Sequence, residues 1–193
     1  MILPIVSYGH DILKKKCKDV DQQYPNLEKL IDDMWETMYP AQGCGLAAPQ
    51  INHPVRIFIV DSMGFYKNME QEDREYFFDG DTGIKETFIN AKITSYTEDV
   101  WIDEEGCLSL PTINEDVERP WGITISYKDK QFKNHKKNYY GLTARVIQHE
   151  FDHTNGQLFI DHIKTMKKNK LKEKLKMISE GLVETGYIMK HLK

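Results

Sequence analysis

The chain has 193 residues, a length typical of one compact domain, and 40% of them are hydrophobic, which is enough to build a buried core. The formal net charge of -4 argues against a general polyanion binder, and three scattered cysteines do not form a disulfide framework. We therefore expect one cytoplasmic domain spanning residues 1–193, without a signal peptide and without the roughly 18 apolar residues in a row that a membrane helix needs.

The first part of the chain is predicted to contain one helix and one strand. Residues 25–39 carry apolar side chains at helical spacing, which predicts an amphipathic helix. Residues 43–50 are rich in Gly, Ala and Pro and are predicted to be a loop, whereas the apolar, β-branched residues 55–60 predict a strand. Residues 61–86 are polar and irregular, and we expect an exposed insertion with room for a short helix.

The second part is predicted to begin with strands and to end with helices. Strands are expected at 88–96 and 121–127, with a partner strand after a turn at 128–130. A helix is predicted at 142–154, and a long amphipathic helix at 163–186. Strands in the middle with helices near both ends indicate an α+β fold.

An HExxH motif lies inside the helix predicted to follow the strands. Residues four apart lie on one helical face with Cβ atoms about 5–6 Å apart, so His149 and His153 can bind one ion. Glu150 points to the side of that face and can act as a general acid/base without being a ligand. The alternative is a helix with two solvated histidines, but Leu142 and Val146 share the histidine face, which indicates that this face is buried.

A catalytic ion also needs a third protein ligand and one open position. Downstream of the motif, Asp161 and His162 are available. Upstream, Cys107 is a better candidate, because it lies in a short segment bounded by glycine and proline that permits a close backbone approach. A lone cysteine is more often a small buried hydrophobic residue, and we assign that role to Cys17 and Cys44.

The HExxH motif is the last of three segments that together resemble one family, the peptide deformylases. The segments are Gly43-Cys44-Gly45-Leu46-Ala47-Ala48-Pro49-Gln50, Glu105-Gly106-Cys107-Leu108-Ser109 and Gln148-His149-Glu150-Phe151-Asp152-His153. The resemblance extends over essentially the whole chain. This chain differs at Thr154, where the family often has leucine, at Asn114, where some members carry arginine, and in its longer insertion at 61–86.

The resemblance implies a hydrolase that removes the N-terminal formyl group from N-formylmethionyl nascent polypeptides and releases formate. In such an enzyme a metal-bound water attacks the formyl carbon, with Glu150 as general acid/base. The Gln50 side chain and the Leu108 N–H would stabilise the oxyanion. The residues that would contact substrate are Gly45, Leu142 and Val146. The implied fold has mixed or antiparallel sheets packed around the helix that carries the motif.

The resemblance also implies how the ion is held. Its ligands would be Cys107, His149 and His153. The implied native ion is Fe²⁺, with Zn²⁺, Ni²⁺ or Co²⁺ as substitutes, although a Cys/His/His set with an open position by itself suits zinc. We further expect Glu105 and Arg119 to form a charge pair behind the cysteine, and Asp152 to orient a histidine ligand.

Two other functions stay open on the residues alone. A zinc endopeptidase would use the same motif, but a suitable downstream third ligand is missing. A non-catalytic protein with a structural metal site would need four protein ligands, and we find three beside a well-placed glutamate.

A lysine-rich segment follows the metal motif. Residues 162–176 contain seven lysines and one glutamate. Such a run is often a solvated helix face, but lysines also attract RNA phosphates without sequence specificity. The resemblance implies docking on the ribosome, where nascent chains emerge. Both interpretations, a solvated helix face and docking on the ribosome, stay open. Neither implies contact with a membrane or sequence-specific binding of nucleic acid.

Overall fold

The computed structural model describes residues 1–78 and 80–192. Residue 79 of the expected insertion and residue 193 of the expected tail lie outside the described part. The strands are β1 (Ile5–Val6), β2 (Gly45–Ala47), β3 (Ile57–Asp61), β4 (Lys85–Tyr96), β5 (Val100–Cys107), β6 (Leu110–Pro120), β7 (Gly122–Lys128), β8 (Asn134–Tyr140) and β9 (Met189–Lys190). The α-helices are α1 (Leu27–Met38), α2 (Met63–Asn68), α3 (Gln71–Phe78), α4 (Gly141–Thr154), α5 (Thr165–Lys170) and α6 (Lys172–Ser179).

The largest sheet packs against helix α4. It has the strand order β2-β3-β4-β7-β8 and is antiparallel throughout. Phe58 of β3 pairs with Phe88 of β4, and their rings stack with centroids 4.7 Å apart. Both rings belong to a buried cluster that also contains Val146 and Ile147 of α4. Burial of this apolar layer places α4 on one face of the sheet.

A two-stranded hairpin carries the cysteine segment. β5 and β6 pair antiparallel from Val100 opposite Pro120 to Gly106 opposite Asn114, and Cys107 then faces Leu110 across the turn. Neither strand was predicted, because the three consecutive acidic residues Asp103, Glu104 and Glu105 in β5 mask the alternation that indicates a half-buried strand. The hairpin places Cys107 at the tip of a rigid element.

The insertion at 61–86 is more ordered than expected. It contains α2 and α3, and Phe78 at the end of α3 is fully buried. The rings of Tyr76 and Phe77 contact Trp121 and Trp101. Most of its described residues are exposed or half-buried and a short helix is present, as expected, but the insertion is not irregular, since aromatic side chains anchor its helices to the hairpin side of the molecule.

The expected single helix at 163–186 is also wrong. The structure has two shorter helices, α5 and α6, and α6 ends at Ser179, two residues before Gly181 in a left-handed conformation (φ 72°). The predicted apolar face is confirmed up to Ile178, since Leu171, Leu175 and Ile178 are buried in one cluster, whereas Leu182, predicted on the same face, is 61% exposed. After Gly181 the chain turns back, so that β9 pairs parallel with β1.

The other predicted elements are confirmed with small shifts at their ends. Helices α1 and α4 and strands β3, β4 and β7 lie where the apolar patterns placed them, and β8 is the partner strand expected after the turn at 128–130. The predicted loop at 43–50 contains β2 and the start of a 3-10 turn. The result is an α+β fold as predicted, with two antiparallel sheets and the short parallel pair β1–β9. Among the described residues the longest helix, α4, has 14 residues, and none of the helices could span a bilayer.

Candidate metal centre

The C-terminal half of α4 presents the HExxH residues to the interior. The helix begins at Gly141, directly after the extended residue Tyr140, and runs to Thr154. The side chains of His149, Glu150 and His153 are all buried. The prediction that the histidine face is buried is therefore confirmed, and two solvated histidines are excluded.

The tip of the β5–β6 hairpin brings a thiol to this helix face. One ligand atom from each of Cys107, His149 and His153 lies within 4.8 Å of the other two. The Cys107 Sγ is 3.3 Å from the His153 Nε2. A thiol and two imidazoles at this spacing are the donor set that zinc and the later first-row divalent ions prefer. The three residues therefore fit a metal ion by their chemistry as well as by their distance.

The downstream alternatives do not join this cluster. Asp161 binds two lysines, with its carboxylate 2.9 Å from the Lys14 Nζ and 2.5 Å from the Lys168 Nζ. The His162 Nε2 lies 2.7 Å from Asp152. Asp161 and His162 therefore bind other residues and lie outside the metal cluster. Neither is the downstream third ligand that an endopeptidase of the HExxH type would use.

Glu105 fixes the orientation of the first histidine. Its Oε2 lies 2.9 Å from the His149 Nδ1, so the Nε2 of that ring faces the cluster. Burial lowers the pKa of His149, but hydrogen bonds with Cys107 and Glu105 outweigh it and raise the pKa well above its ordinary value. Burial and the charge of His149 hold the pKa of His153 well below its ordinary value. The two rings therefore lie in different electrostatic surroundings.

Two arginines hold Glu105 in place. The Arg119 Nε donates to Glu105 Oε1 at 2.5 Å, and the Arg145 Nη1 donates to the same oxygen at 2.7 Å. Burial raises the pKa of Glu105, but hydrogen bonds from His149 and Arg119 hold it below its ordinary range. The predicted Glu105–Arg119 pair is confirmed. Arg145 was missed, although a buried arginine one helical turn before His149 needs a carboxylate partner.

Asp152 does not orient a histidine ligand, so that expectation is wrong. Its Oδ2 accepts hydrogen bonds from the Arg119 Nη1 at 2.8 Å and from His162 at 2.7 Å. Asp152 lies one residue before His153, about 100° around the helix axis from it, and its carboxylate faces Arg119 and His162 instead of the cluster. It is linked to the centre through Arg119, which also binds Glu105.

Glu150 lies beside the cluster in a tight pocket. A Cβ added at Gly45 would collide with the Glu150 carboxylate, so only glycine fits there. Burial raises the pKa of Glu150 to about 7. Its Oε2 is buried and has no hydrogen-bond partner among the described residues. A carboxyl group in this state can both accept and donate a proton near neutral pH.

The predicted oxyanion donors lie on the cysteine side of the cluster. The Gln50 Oε1 accepts from the Ala47 N–H at 2.8 Å, which turns the Nε2 towards the Cys107 Sγ (3.6 Å) and the Ser109 Oγ (3.4 Å). Leu108 follows Cys107 directly in the hairpin turn. Ser109, fully buried, was not predicted from the sequence.

A cavity of about 670 Å³ opens onto the cluster. The three predicted substrate residues, Gly45, Leu142 and Val146, all line it. Two further side chains in its wall were not predicted: Phe65 comes from the insertion and Tyr187 from the C-terminal segment. Both come from parts of the chain with no recognisable motif.

Comparisons with known proteins give a consistent result. A family model described as Polypeptide deformylase matches residues 2–169. The peptide deformylase of Christiangramia forsetii is 47% identical over 190 residues, covering 98% of this chain and 96% of the relative. That of Flavobacterium psychrophilum is also 47% identical, over 98% and 97% of the two chains.

Solved structures match over most of their length as well. A peptide deformylase from Legionella pneumophila has a TM-score of 0.78 at 32% identity, covering 94% of this chain and 98% of that chain. A peptide deformylase from Plasmodium falciparum has a TM-score of 0.77 at 34% identity, covering 92% and 95%.

Proposed function

Because the chain belongs to the peptide deformylase family, we propose that it removes the formyl group from N-formylmethionyl nascent polypeptides and releases formate. One observation supports this most directly: Cys107, His149 and His153 converge beside the buried carboxyl group of Glu150. A set of three ligands with an adjacent acid/base is typical of a catalytic centre, whereas a structural site would have four protein ligands. We also propose that residues 1–193 act as one catalytic domain in the cytoplasm.

The ligands proposed for the ion are Cys107, His149 and His153. When bound, a divalent ion there lowers the pKa of a coordinated water and polarises a carbonyl group. The family resemblance favours Fe²⁺, with Zn²⁺, Ni²⁺ and Co²⁺ as substitutes that suit the same donors. Glu105 keeps the His149 ring in one orientation, so less freedom is lost when the ion binds.

Glu150 is proposed to move the proton that the reaction requires. Hydrolysis of a formamide needs a proton taken from the attacking water and a proton delivered to the departing amine. A carboxyl group with a pKa of about 7 can do both at neutral pH. The Gln50 Nε2 and the Leu108 N–H are proposed to donate to the oxyanion, and one such donor contributes roughly 3 kcal/mol to transition-state stabilisation.

The substrate peptide is proposed to lie extended along β2. This strand is at the edge of its sheet and carries Gly45 beside Glu150, so main-chain groups on its outer side can pair with a peptide. Leu142 and Val146 are proposed to border the methionine side chain. Recognition through the main chain and one apolar pocket would accept many different residues after the methionine.

The proposed activity can be tested with a formyl-Met peptide and anaerobically prepared protein loaded with Fe²⁺ or Ni²⁺. We expect formate release by the wild-type protein and a loss of at least about 100-fold in Glu150→Ala. Glu118→Gln, an exposed glutamate on β6, serves as a control and should retain full activity. Absence of formate from the loaded wild-type protein would overturn the proposal.

Ribosome contact through α5 and α6 is proposed as a second property. Lys167 and Lys168 are already paired with acidic residues of the chain, so five exposed lysines carry the proposal. They are Lys164, Lys170, Lys172, Lys174 and Lys176.

Charge reversal tests this contact. We expect Lys170→Glu/Lys172→Glu/Lys174→Glu to abolish salt-sensitive co-sedimentation with ribosomes. A control triple at the exposed Lys16, Lys133 and Lys136 should bind like the wild type. Equal binding by both triples would favour a plain solvated face.

A further inference from the structure

The turn between β5 and β6 determines where the Leu108 N–H points. Only Leu108 and Ser109 lie between the last residue of β5 and the first residue of β6. The Leu108 N–H lies in the Cys107–Leu108 peptide plane, which is joined at the Leu108 Cα to the Leu108–Ser109 plane, so the placement of one plane limits the placement of the other. An oxyanion donor acts only if its N–H is held at the right position before the reaction. The groups that anchor this turn are therefore of functional interest.

Both carbonyl groups of the turn are anchored by residues from the two ends of the chain. The Tyr187 hydroxyl donates a hydrogen bond to the Leu108 carbonyl oxygen at 2.8 Å. The Tyr8 N–H donates to the Ser109 carbonyl oxygen at 2.8 Å. The two carbonyl groups are thus held by residues remote from the turn in sequence. Of these two contacts, the one from Tyr187 is made by a side chain and the one from Tyr8 by the backbone.

Tyr187 is itself held firmly. The Thr185 Oγ1 donates to the Tyr187 carbonyl oxygen at 2.7 Å. Directly after it, the chain joins the β1–β9 pair, in which the Ile5 N–H donates to the Ile188 carbonyl oxygen at 2.9 Å. The ring packs against the core cluster around α1 and lines the cavity. Burial raises the pKa of Tyr187, so its hydroxyl keeps its proton at neutral pH.

We propose that Tyr187 is a positioning residue for the deformylation reaction. By holding the Leu108 carbonyl, which belongs to the Leu108–Ser109 peptide, it fixes the backbone at Leu108 and so the direction of the Leu108 N–H that would meet the oxyanion. The inference rests on the proposed function. It assigns a role in the active site to the C-terminal segment, which lies beyond the residues 2–169 that the family model matches. The C-terminal segment would then complete the active site rather than only close the fold through β9.

The test is Tyr187→Phe, which removes the hydroxyl and keeps the ring in place. We expect kcat for a formyl-Met peptide to fall about 10-fold. A misplaced donor still stabilises the transition state in part, so the loss is smaller than for complete removal of the donor. KM should stay within about twofold, since the donor acts on the transition state and not on the bound peptide. Tyr76→Phe, an exposed tyrosine on α3, removes a hydroxyl elsewhere and should change neither constant.

Two further measurements separate positioning from a general structural defect. Metal content and the inhibition constant of the deformylated product peptide, which lacks the formyl oxygen, should be unchanged in Tyr187→Phe. Thr185→Ala, which removes the hydrogen bond to the Tyr187 carbonyl, should also lower kcat, but by a smaller factor than Tyr187→Phe. Loss of metal or of product affinity in parallel with kcat would overturn the positioning role.

The outcomes also distinguish this inference from the proposed function. If the metal-loaded wild-type protein releases no formate, both the proposed function and the inference about Tyr187 are wrong. If the wild-type protein is active and Tyr187→Phe has an unchanged kcat, the inference alone is wrong.

Discussion

Glu105 is the residue on which most contacts of the metal centre converge. It binds His149, Arg119 and Arg145 and is almost fully buried. A buried carboxylate is costly unless every oxygen is paired, and here three partners share the two oxygens. The arrangement keeps one histidine ring in a single orientation, with its free nitrogen facing the cluster.

Replacement of Glu105 should therefore weaken metal binding. We expect Glu105→Gln to lower the affinity for Ni²⁺ or Co²⁺ by about 10- to 100-fold, because the ring of His149 loses its charged partner. Competition with a chromophoric chelator measures this affinity. Glu118→Gln, on the same hairpin but exposed, is the matched control. Unchanged affinity in Glu105→Gln would show that its pair with Arg119 is structural only.

Glu150 should make the stability of the metal-free protein depend on pH. Its pKa of about 7 in the folded protein exceeds the ordinary 4.5, so the folded state holds its proton more tightly than the unfolded state. The free energy of unfolding should thus decrease as the pH rises from about 4.5 to about 7. At 1.36 kcal/mol per pKa unit, the decrease is about 3 kcal/mol.

Glu150→Gln removes this titration. We expect the metal-free variant to be more stable than the wild type at pH 8 by about 3 kcal/mol, and equally stable below about pH 4.5. Urea unfolding at a series of pH values, with the metal removed by chelation, measures the difference. A constant difference over that pH range would contradict the assignment.

At the scale of elements, the start of α4 depends on its contact with the insertion. Gly141 has a left-handed backbone (φ 53°), and a Cβ there would collide with the carbonyl oxygen of Phe77 in α3. Only glycine combines this backbone conformation with so close an approach. The insertion therefore helps to place the helix that carries the proposed metal ligands.

A pair of glycine substitutions tests this contact. Gly141→Ala should lower the free energy of unfolding by about 2 kcal/mol or more, from left-handed strain and the collision with α3. Gly64→Ala lies in helix α2 with open space around it and should raise the free energy by about 0.5–1 kcal/mol. Urea unfolding of both variants gives the comparison. Effects of the same sign would show that α3 does not restrict α4.

At the scale of the whole molecule, the core does not depend on the metal. Three clusters of buried apolar side chains surround α1, α4 and the C-terminal helices. A domain with this much buried apolar surface can fold by the hydrophobic effect, unlike a small metal-folded module. Metal binding should therefore add to an already folded protein.

This independence predicts a specific response to metal. The metal-free protein should unfold cooperatively, and Ni²⁺ at about 100 times its Kd should raise the free energy of unfolding by about 2.7 kcal/mol. Cys107→Ser should lose most of this increase. Cys44→Ser, which alters a thiol outside the ligand cluster, should keep it. An unfolded metal-free protein would contradict the prediction.

Local patterns in the sequence predicted the helices and strands whose conformation depends on residues close to one another in the chain. Helix α4 follows from apolar spacing, and strand β3 from a run of apolar residues. The HExxH spacing places two histidines on one face, because helical geometry is local. Cys107 was a candidate third ligand from its glycine- and proline-bounded segment, and the resemblance of three motifs then assigned it, since its distance from the helix in sequence carries no geometric signal.

The sequence by itself thus determined the fold class, the helix that carries the two histidines and the family. Only the tertiary structure decided which groups surround them: Arg145 on Glu105, Asp152 on Arg119, and Tyr187 on the Leu108 carbonyl. It also divided the predicted C-terminal helix into α5 and α6. The physical reason for the three contacts is the same. Each joins residues far apart in the chain, and only packing brings such residues within hydrogen-bond distance.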